Sequence, residues 1–252
     1  MRTMRALFRY EAQSALKTVA SFYGAMFGAM ALMLLIVQVL TGEAIFTSVP
    51  GFDLLAMVLG FDLWAMVLGL VVGAAAMSEN YRYFKQNGFT RWAIFAGDLF
   101  GFALGAVMVA TVGTLAPVVV QWFIPGYLSA IGHMYGSDVG ALASWALLFF
   151  SYLCLASGAY FIGALTLRLG KRRALVVGIV VFLLVMVVGP AIFAFRGPAL
   201  ALGRVTDGFL NFLGFSAGMT PQIWPAVATV AVLSICAIAL VYVVMRRFEW
   251  RW

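Results

Sequence analysis

Apolar residues occur along this chain in long runs, separated by short polar segments that carry most of the charge. A helix needs about 20 apolar residues to cross the hydrocarbon core of a bilayer, which is about 30 Å thick. The runs are continuous rather than alternating, so they favour helices over the strands of a closed barrel. The pattern predicts an all-α integral membrane protein with six transmembrane helices, at residues 20–40, 54–77, 92–123, 141–167, 174–195 and 223–245.

The first 18 residues follow a different pattern. One stripe is polar, mostly basic and spaced by three and four residues, and it consists of Arg2, Arg5, Arg9, Gln13 and Lys17. A second stripe is apolar and consists of Met4, Phe8, Ala12, Ala15 and Val19. A helix with one basic and one apolar face typically lies in the membrane interface. We therefore predict an N-terminal interfacial amphipathic helix over residues 1–18, with a solvated helical tail as the alternative.

Composition also favours a membrane protein. Of the 252 residues, 65% are hydrophobic and 10% are charged, whereas soluble domains carry about 25% charged residues. The net charge of +7 does not indicate nucleic-acid binding, because the basic residues lie in short clusters between the apolar runs. Such clusters are typical of the cytoplasmic face of a membrane protein.

The basic residues also predict the orientation. Six spans place both termini and the loops 78–91 and 168–173 on one side of the membrane. All but Arg196 and Arg204 of the 16 Lys and Arg residues then lie on that side. Because Lys and Arg are enriched in cytoplasmic loops, we predict a multi-pass protein of the cell membrane with both termini in the cytoplasm.

A tandem repeat covers residues 51–68, where GFDLLAMVL is followed by GFDLWAMVL. Nine residues turn a helix by about two and a half turns, so the two copies face opposite sides of a helix. We interpret the repeat as a small duplication that extends the outer end of the second span.

The sequence carries no recognisable catalytic motif. No lysine lies in a phosphate-binding loop of the form G-x-x-x-x-G-K-[ST], and the single histidine, His133, excludes H-E-x-x-H metalloproteases. Ser157 and Gly158 are interpreted as helix-packing residues, as are Cys154 and Cys236. The sequence therefore predicts no catalytic, cofactor-binding or metal site in this chain.

Two acids fall within predicted spans. Asp62 lies about one helical turn below the outer boundary of the second span, where it either lines a pathway or reaches the headgroups. Asp98 lies about two turns into the third span. An ion pair of Asp98 with Arg91 or with a base of the 168–173 loop is favoured there over a contact with substrate. Both acids are candidate pathway or gate residues.

The loop 78–91, SENYRYFKQNGFTR, mixes basic and aromatic residues. It has room for about two helical turns parallel to the membrane, although a loop that only reverses the chain can be much shorter. Asn87-Gly88 predicts a turn, and Thr90 predicts an N-cap for the next helix. The aromatics, expected to be exposed, indicate either a docking surface or anchors in the headgroups, and the residues alone favour neither.

The outer segment 196–222 is semi-apolar and is interrupted by glycine and proline. Its two pieces at 199–205 and 209–215 have the length of short helices and are too short to span a bilayer. We predict a broken, re-entrant outer hairpin between the fifth and sixth helices, or an interfacial lid.

The order of these elements resembles that of the permease subunits of type-2-class ABC exporters, particularly the short six-helix permeases grouped with peptide-antibiotic resistance and immunity. The local resemblance is carried by Glu79, Arg82, Asn87, Gly88, Phe89, Thr90 and Arg91. It implies that 78–91 is a coupling segment, that 1–18 is a connecting helix and that 196–222 forms re-entrant outer helices. Asp98 departs from the pattern, because many members carry a base near this position.

The resemblance implies the membrane-spanning half of an exporter. The apolar, aromatic and Met-rich spans suit an amphiphilic substrate, such as a peptide, a drug or a lipid-like molecule, moved out of the cytoplasm, and the same composition is ordinary for lipid-facing helices. A separate ATP-binding subunit would hold ATP and Mg²⁺, and a second permease chain, identical or related, would complete the pathway within membrane lipid. The residues expected to couple to the ATP-binding subunit are Glu79, Arg82, Phe84, Asn87, Gly88, Phe89, Thr90 and Arg91.

Two other functional classes stay open. One is a substrate-capturing membrane subunit of an uptake system, or a small channel, and the other is a structural membrane partner without transport. A capture subunit needs a polar pocket within the bundle. A channel needs rings of like charge or a filter loop, and the sequence offers few residues for either.

Overall fold

The computed structural model describes residues 2–41, 61–77, 81–123, 129–136, 139–169 and 222–246. These residues form helices and short connections, and they contain no strand. The helices, numbered here in chain order, are α1 (Arg2–Thr41), α2 (Phe61–Ala75), α3 (Tyr81–Gln86), α4 (Arg91–Phe123), α5 (Ala130–Tyr135), α6 (Ala141–Leu169) and α7 (Ile223–Arg246). The all-α prediction is confirmed for this part of the chain.

Three of the described helices, α4, α6 and α7, are long and apolar enough to cross a membrane. They match the runs predicted at 92–123, 141–167 and 223–245. Helix α4 continues through Pro117, and the exposed Trp92 and Trp122 near its ends are separated by about 45 Å of helix. Exposed tryptophans at this separation are typical of the two interfaces of a bilayer, so the chain has the character of a membrane protein.

The other predicted spans are described less completely. The run 20–40 lies within α1, and the inner part of 54–77 lies within α2. The fifth span at 174–195 lies outside the described residues, as does the outer segment 196–222 except for Gln222. The count of six spans and the outer hairpin stay predictions.

Helix α1 corrects the prediction for the N-terminus. It runs without a break from Arg2 to Thr41, so residues 1–18 do not form a helix separate from the first span. Its first half packs along α4, where Leu7 lies against Gly97 and the rings of Phe8 and Phe100 are 5.2 Å apart. The buried residues are Leu7, Glu11, Val19 and Tyr23, so Val19 is the one member of the predicted stripe that is fully buried. The shift follows from α4, whose glycines leave room for the side chains that face them.

The described long helices run in two opposite directions, with α1 and α4 in one direction and α2, α6 and α7 in the other. Residue numbers rise together in the contacts of α1 with α4, as they do where α2 meets α6, so each of these pairs is parallel. Helix α6 runs antiparallel to α4, since Tyr160 contacts Asp98 and Trp145 contacts Thr111. Helix α7 runs parallel to α6, since the Ser234 hydroxyl donates to the Phe150 carbonyl at 2.9 Å and Val241, further along α7, lines the same cleft as Tyr160. With the predicted fifth span between α6 and α7, these directions fit a path that alternates across a membrane.

Helices α2 and α6 approach closely at glycines. Gly73 lies so near the backbone of Ala156 that a Cβ at Gly73 would collide with the Ala156 carbonyl, and Gly69 lies against Tyr152 in the same way one turn earlier. In lipid the association of helices gains little from hydrophobic burial and depends on such close packing. The four-residue spacing of Gly69 and Gly73 is therefore what brings α2 against α6.

The first prediction concerns this contact. Gly73→Ala should lower the melting temperature of the purified protein, because the added methyl meets backbone that must shift, at a cost of about 1–3 kcal/mol. Gly158→Ala in α6 is the control, since a Cβ there has no neighbour within 4 Å. The control should melt at the wild-type temperature or slightly above it, because alanine favours a helix. Equal melting temperatures for the two variants would contradict the close contact.

Candidate functional site

Helix α3 ends in a Schellman motif that fixes the turn into α4. The Phe89 N–H donates to the Phe84 carbonyl at 3.1 Å, and the Gly88 N–H donates to the Lys85 carbonyl at 3.2 Å. Gly88 has φ of +78°, a left-handed conformation that favours glycine. The rings of Phe84 and Phe89, with centroids 5.6 Å apart, supply the apolar contact that accompanies this motif.

Side chains close the remaining backbone groups of the turn. The Asn87 amide donates to the Tyr83 carbonyl at 2.8 Å, which satisfies a carbonyl at the end of α3. The Thr90 hydroxyl accepts from the Ala93 N–H at 3.2 Å and caps the start of α4. The predicted turn and the predicted cap are both confirmed. Every residue from 87 to 90 takes part in one of these hydrogen bonds, so the connection between α3 and α4 is rigid.

Helix α3 has a buried face and an exposed face. Tyr81 and Phe84, three residues apart, point inward, and Phe84 is only 3% exposed. The Phe84 ring packs edge-on against Tyr10 of α1, with centroids 5.3 Å apart. Tyr83 is 59% exposed on the other side of the helix. The expectation of exposed aromatics is thus correct for Tyr83 and wrong for Tyr81 and Phe84, which are buried, Phe84 between Tyr10 of α1 and Phe89.

The other residues of the expected coupling set are placed as follows. Gly88 and Thr90 are exposed with Asn87, whereas Phe89 and Arg91 are half-buried. Glu79 lies outside the described residues, and Arg82 is described only as a position within α3. Asp62 is likewise described only as a position near the start of α2.

Asp98 is buried where α4 faces α6, with 2% of its surface exposed. The Tyr160 hydroxyl donates to its Oδ2 atom at 2.8 Å. The expected ion pair with Arg91 is not formed, and Asp98 bonds to Tyr160 of α6 instead. The other expected partner, a base of the 168–173 loop, lies outside the described side chains.

Glu11 of α1 is a second buried acid, and sequence reasoning missed it. It is 6% exposed, lies against Gly101 of α4 and is near enough to Asp98 for the two carboxylates to repel each other. Burial raises the pKa of Glu11 to about 7. The sequence does contain a signal for the burial of Glu11. Leu7 and Glu11 are four residues apart, as are Gly97 and Gly101, so each large side chain of α1 can face a glycine of α4.

A narrow cleft lies beside Asp98, between α4, α6 and α7. Apart from Asp98, Ser157 and Tyr160, its lining is apolar and consists of Phe95, Leu99, Phe102, Ile238 and Val241. The Ser157 hydroxyl was interpreted as a packing group. It is buried, but it has no hydrogen-bond partner among the described residues. The cleft therefore joins two polar side chains that the packing of helices alone does not explain.

Comparisons of the chain with protein-family models, with curated proteins and with solved structures give no match.

The second prediction uses the pH dependence of Glu11. With its pKa raised from 4.5 to about 7 in the folded protein, folding favours the protonated acid, so its stability contribution is full below about pH 4.5 and is lost as pH rises through about 7. Glu11→Gln stays neutral, so it should melt near the wild-type temperature at about pH 5 and a few degrees above it at about pH 8.

The exposed Gln13→Glu on the same helix is the matched control and should show no such trend. A melting-temperature difference between Glu11→Gln and wild type that stays constant with pH would contradict the burial of an ionisable Glu11.

Proposed function

We propose that this chain is the permease subunit of an ATP-driven exporter and that α3 receives the force of a separate ATP-binding subunit. The observation that carries the proposal is the two-faced packing of α3. The outer side exposes Tyr83, while the inner side is held through Phe84 on Tyr10 of α1 and on Phe89 in the turn before α4. A segment that only reversed the chain would need neither the exposed aromatic nor the internal anchor.

The packing suggests how force would pass through α3. A push on Tyr83 would move Phe84 against Tyr10 of α1. The same push would reach α4, because hydrogen bonds restrain each residue of the turn between α3 and Thr90. Helices α1 and α4 run in parallel and would tilt together. The tilt would then reach α6 and α7 through their contacts with α4.

Under this proposal, other chains provide the remaining parts of the complex. ATP and Mg²⁺ bind to the partner subunit, and a second permease chain completes the pathway. The expected substrate is amphiphilic, since the exposed surfaces of the described helices are apolar and a molecule leaving them would meet lipid. The coupling positions not described in the structure, Glu79 and Arg82, are assigned to the same docking face on the resemblance alone.

The third prediction tests docking. The tagged chain is purified in mild detergent from the membranes of the organism that encodes it, and the eluate is assayed for ATP hydrolysis and for an associated ATP-binding protein. Both should be found with the wild type and should fall by about tenfold with Tyr83→Asp, because a charge replaces the exposed aromatic, a loss of about 1.4 kcal/mol in binding.

Met134→Asp is the matched control, since Met134 is a similarly exposed apolar residue on the other short helix, α5. Equal retention of the ATP-binding protein by Tyr83→Asp and Met134→Asp would contradict docking on α3. Purification of the wild type as a lone oligomer would favour a channel or a structural partner.

The fourth prediction separates docking from coupling. Phe84→Leu retains a buried apolar side chain but loses the edge-on ring contacts with Tyr10 and Phe89, which are worth about 0.5–1.5 kcal/mol each. The ATP-binding subunit should still co-purify, whereas substrate-stimulated ATP hydrolysis in proteoliposomes should fall severalfold. Unchanged stimulation in a variant that binds normally would show that Phe84 does not transmit the motion.

A further inference from the structure

The cleft between α4, α6 and α7 contains polar atoms that no described neighbour satisfies. Among the described residues, the buried side-chain oxygens without a hydrogen-bond partner are Glu11 Oε1, Asp98 Oδ1 and Ser157 Oγ. Asp98 and Ser157 both line the cleft, and each is only 2% exposed. Buried polar groups without partners are rare in proteins, so two in one cleft indicate that something binds between them.

The charges around Asp98 determine what can bind. Glu11 faces it from α1 and Tyr160 from α6, with Tyr81 of α3 beyond Tyr160. Helix α7 contributes only Ile238 and Val241, both apolar. In the described part of the chain no Lys or Arg neutralises this site, and the two carboxylates repel each other. An ionised Asp98 would therefore be a buried charge without a counter-charge, which is costly inside a membrane protein.

The size and lining of the cleft favour binding of a proton and exclude a larger cation. Its volume is about 10 Å³, close to the least that one water molecule needs, so neither a substrate nor a hydrated ion fits. Hard metal cations take about six oxygen ligands, whereas this cleft offers two unpaired side-chain oxygens among apolar groups. A proton needs only one.

We propose that Asp98 is a proton-binding site, with the proton held on Oδ1 and the acid oriented by Tyr160 and Ser157. Oδ2 accepts from the Tyr160 hydroxyl at 2.8 Å. The Oδ1–H donates to Ser157 Oγ through one water, because these two atoms are not within hydrogen-bond distance of each other. In the loading step the Asp98 carboxylate takes a proton from hydronium and leaves water, and no other bond changes. This inference does not depend on the exporter proposal.

Proton loading would control how α7 packs on α4 and α6. The protonated acid donates once and accepts once, so both oxygens at the cleft are satisfied without charge. Loss of the proton leaves a carboxylate beside apolar side chains of α7 and near Glu11. That arrangement favours entry of water, which requires α7 to move away from the cleft.

Infrared spectroscopy of the purified chain in lipid nanodiscs tests the proposal. The wild type at neutral pH should show the carbonyl band of a protonated carboxylic acid, shifted by exchange into deuterium oxide. Because Glu11, with a pKa of about 7, is itself partly protonated at neutral pH, the Asp98 band is measured in a Glu11→Gln background. The band should persist in Glu11→Gln and should disappear when Asp98→Asn is added. In Tyr160→Phe the band should move to higher wavenumber, because Oδ2 loses its hydrogen bond. The same spectrum from wild type and Asp98→Asn in the acid carbonyl region would overturn the proposal.

Thermal unfolding provides a second readout that distinguishes a proton from a metal cation. Asp98→Asn imitates the neutral acid, so it should fold and melt within a few degrees of the wild type at neutral pH. Replacing sodium by choline should leave both melting temperatures unchanged. A sodium-dependent rise in the wild type that Asp98→Asn lacks would identify a cation site and overturn the proposal, as would a large loss of stability in Asp98→Asn.

Discussion

Close packing of α4 against its neighbours is the constraint on which the rest of the described structure depends. Helix α4 contacts α1, α2, α6 and α7, as well as the short α3. Apolar helices gain little from leaving lipid for each other, because lipid is as apolar as their side chains. Such contacts therefore depend on small residues that let the helices approach closely. Gly97 and Gly101 provide that space for Leu7 and Glu11 of α1. With larger residues at these positions, the first half of α1 would be held away from α4.

The position of α1 in turn determines the two features that bear on function. It covers the inner face of α3, so Phe84 is an internal anchor and Tyr83 is left outside. It also brings Glu11 near Asp98, so two acids share one end of the bundle. The two features are close neighbours along α1, because Tyr10, which packs on Phe84 of α3, directly precedes Glu11. A motion of α3 therefore begins beside the buried acids.

The features that the sequence predicts correctly are local ones. Long apolar runs place the ends of α4, α6 and α7 within about two residues, and Asn87, Gly88 and Thr90 predict the turn before α4 because caps involve neighbouring residues. Contacts between distant segments were beyond such reasoning. The burial of Phe84 requires Tyr10, and the bond from Tyr160 to Asp98 spans 62 positions. The unbroken α1 was missed because its first half carries charges, while the glycines that receive it lie on α4.

The central claim is that α3 meets the cytosol and that α5 lies on the opposite side of the membrane. The free thiols Cys154 and Cys236 would be replaced by alanine, and Tyr83→Cys or Met134→Cys introduced at an exposed site on each short helix. A membrane-impermeant maleimide is then applied to right-side-out and inside-out vesicles. The account predicts that the position-83 variant reacts only in inside-out vesicles and the position-134 variant only in right-side-out ones. Labelling of position 83 from outside intact vesicles would contradict it.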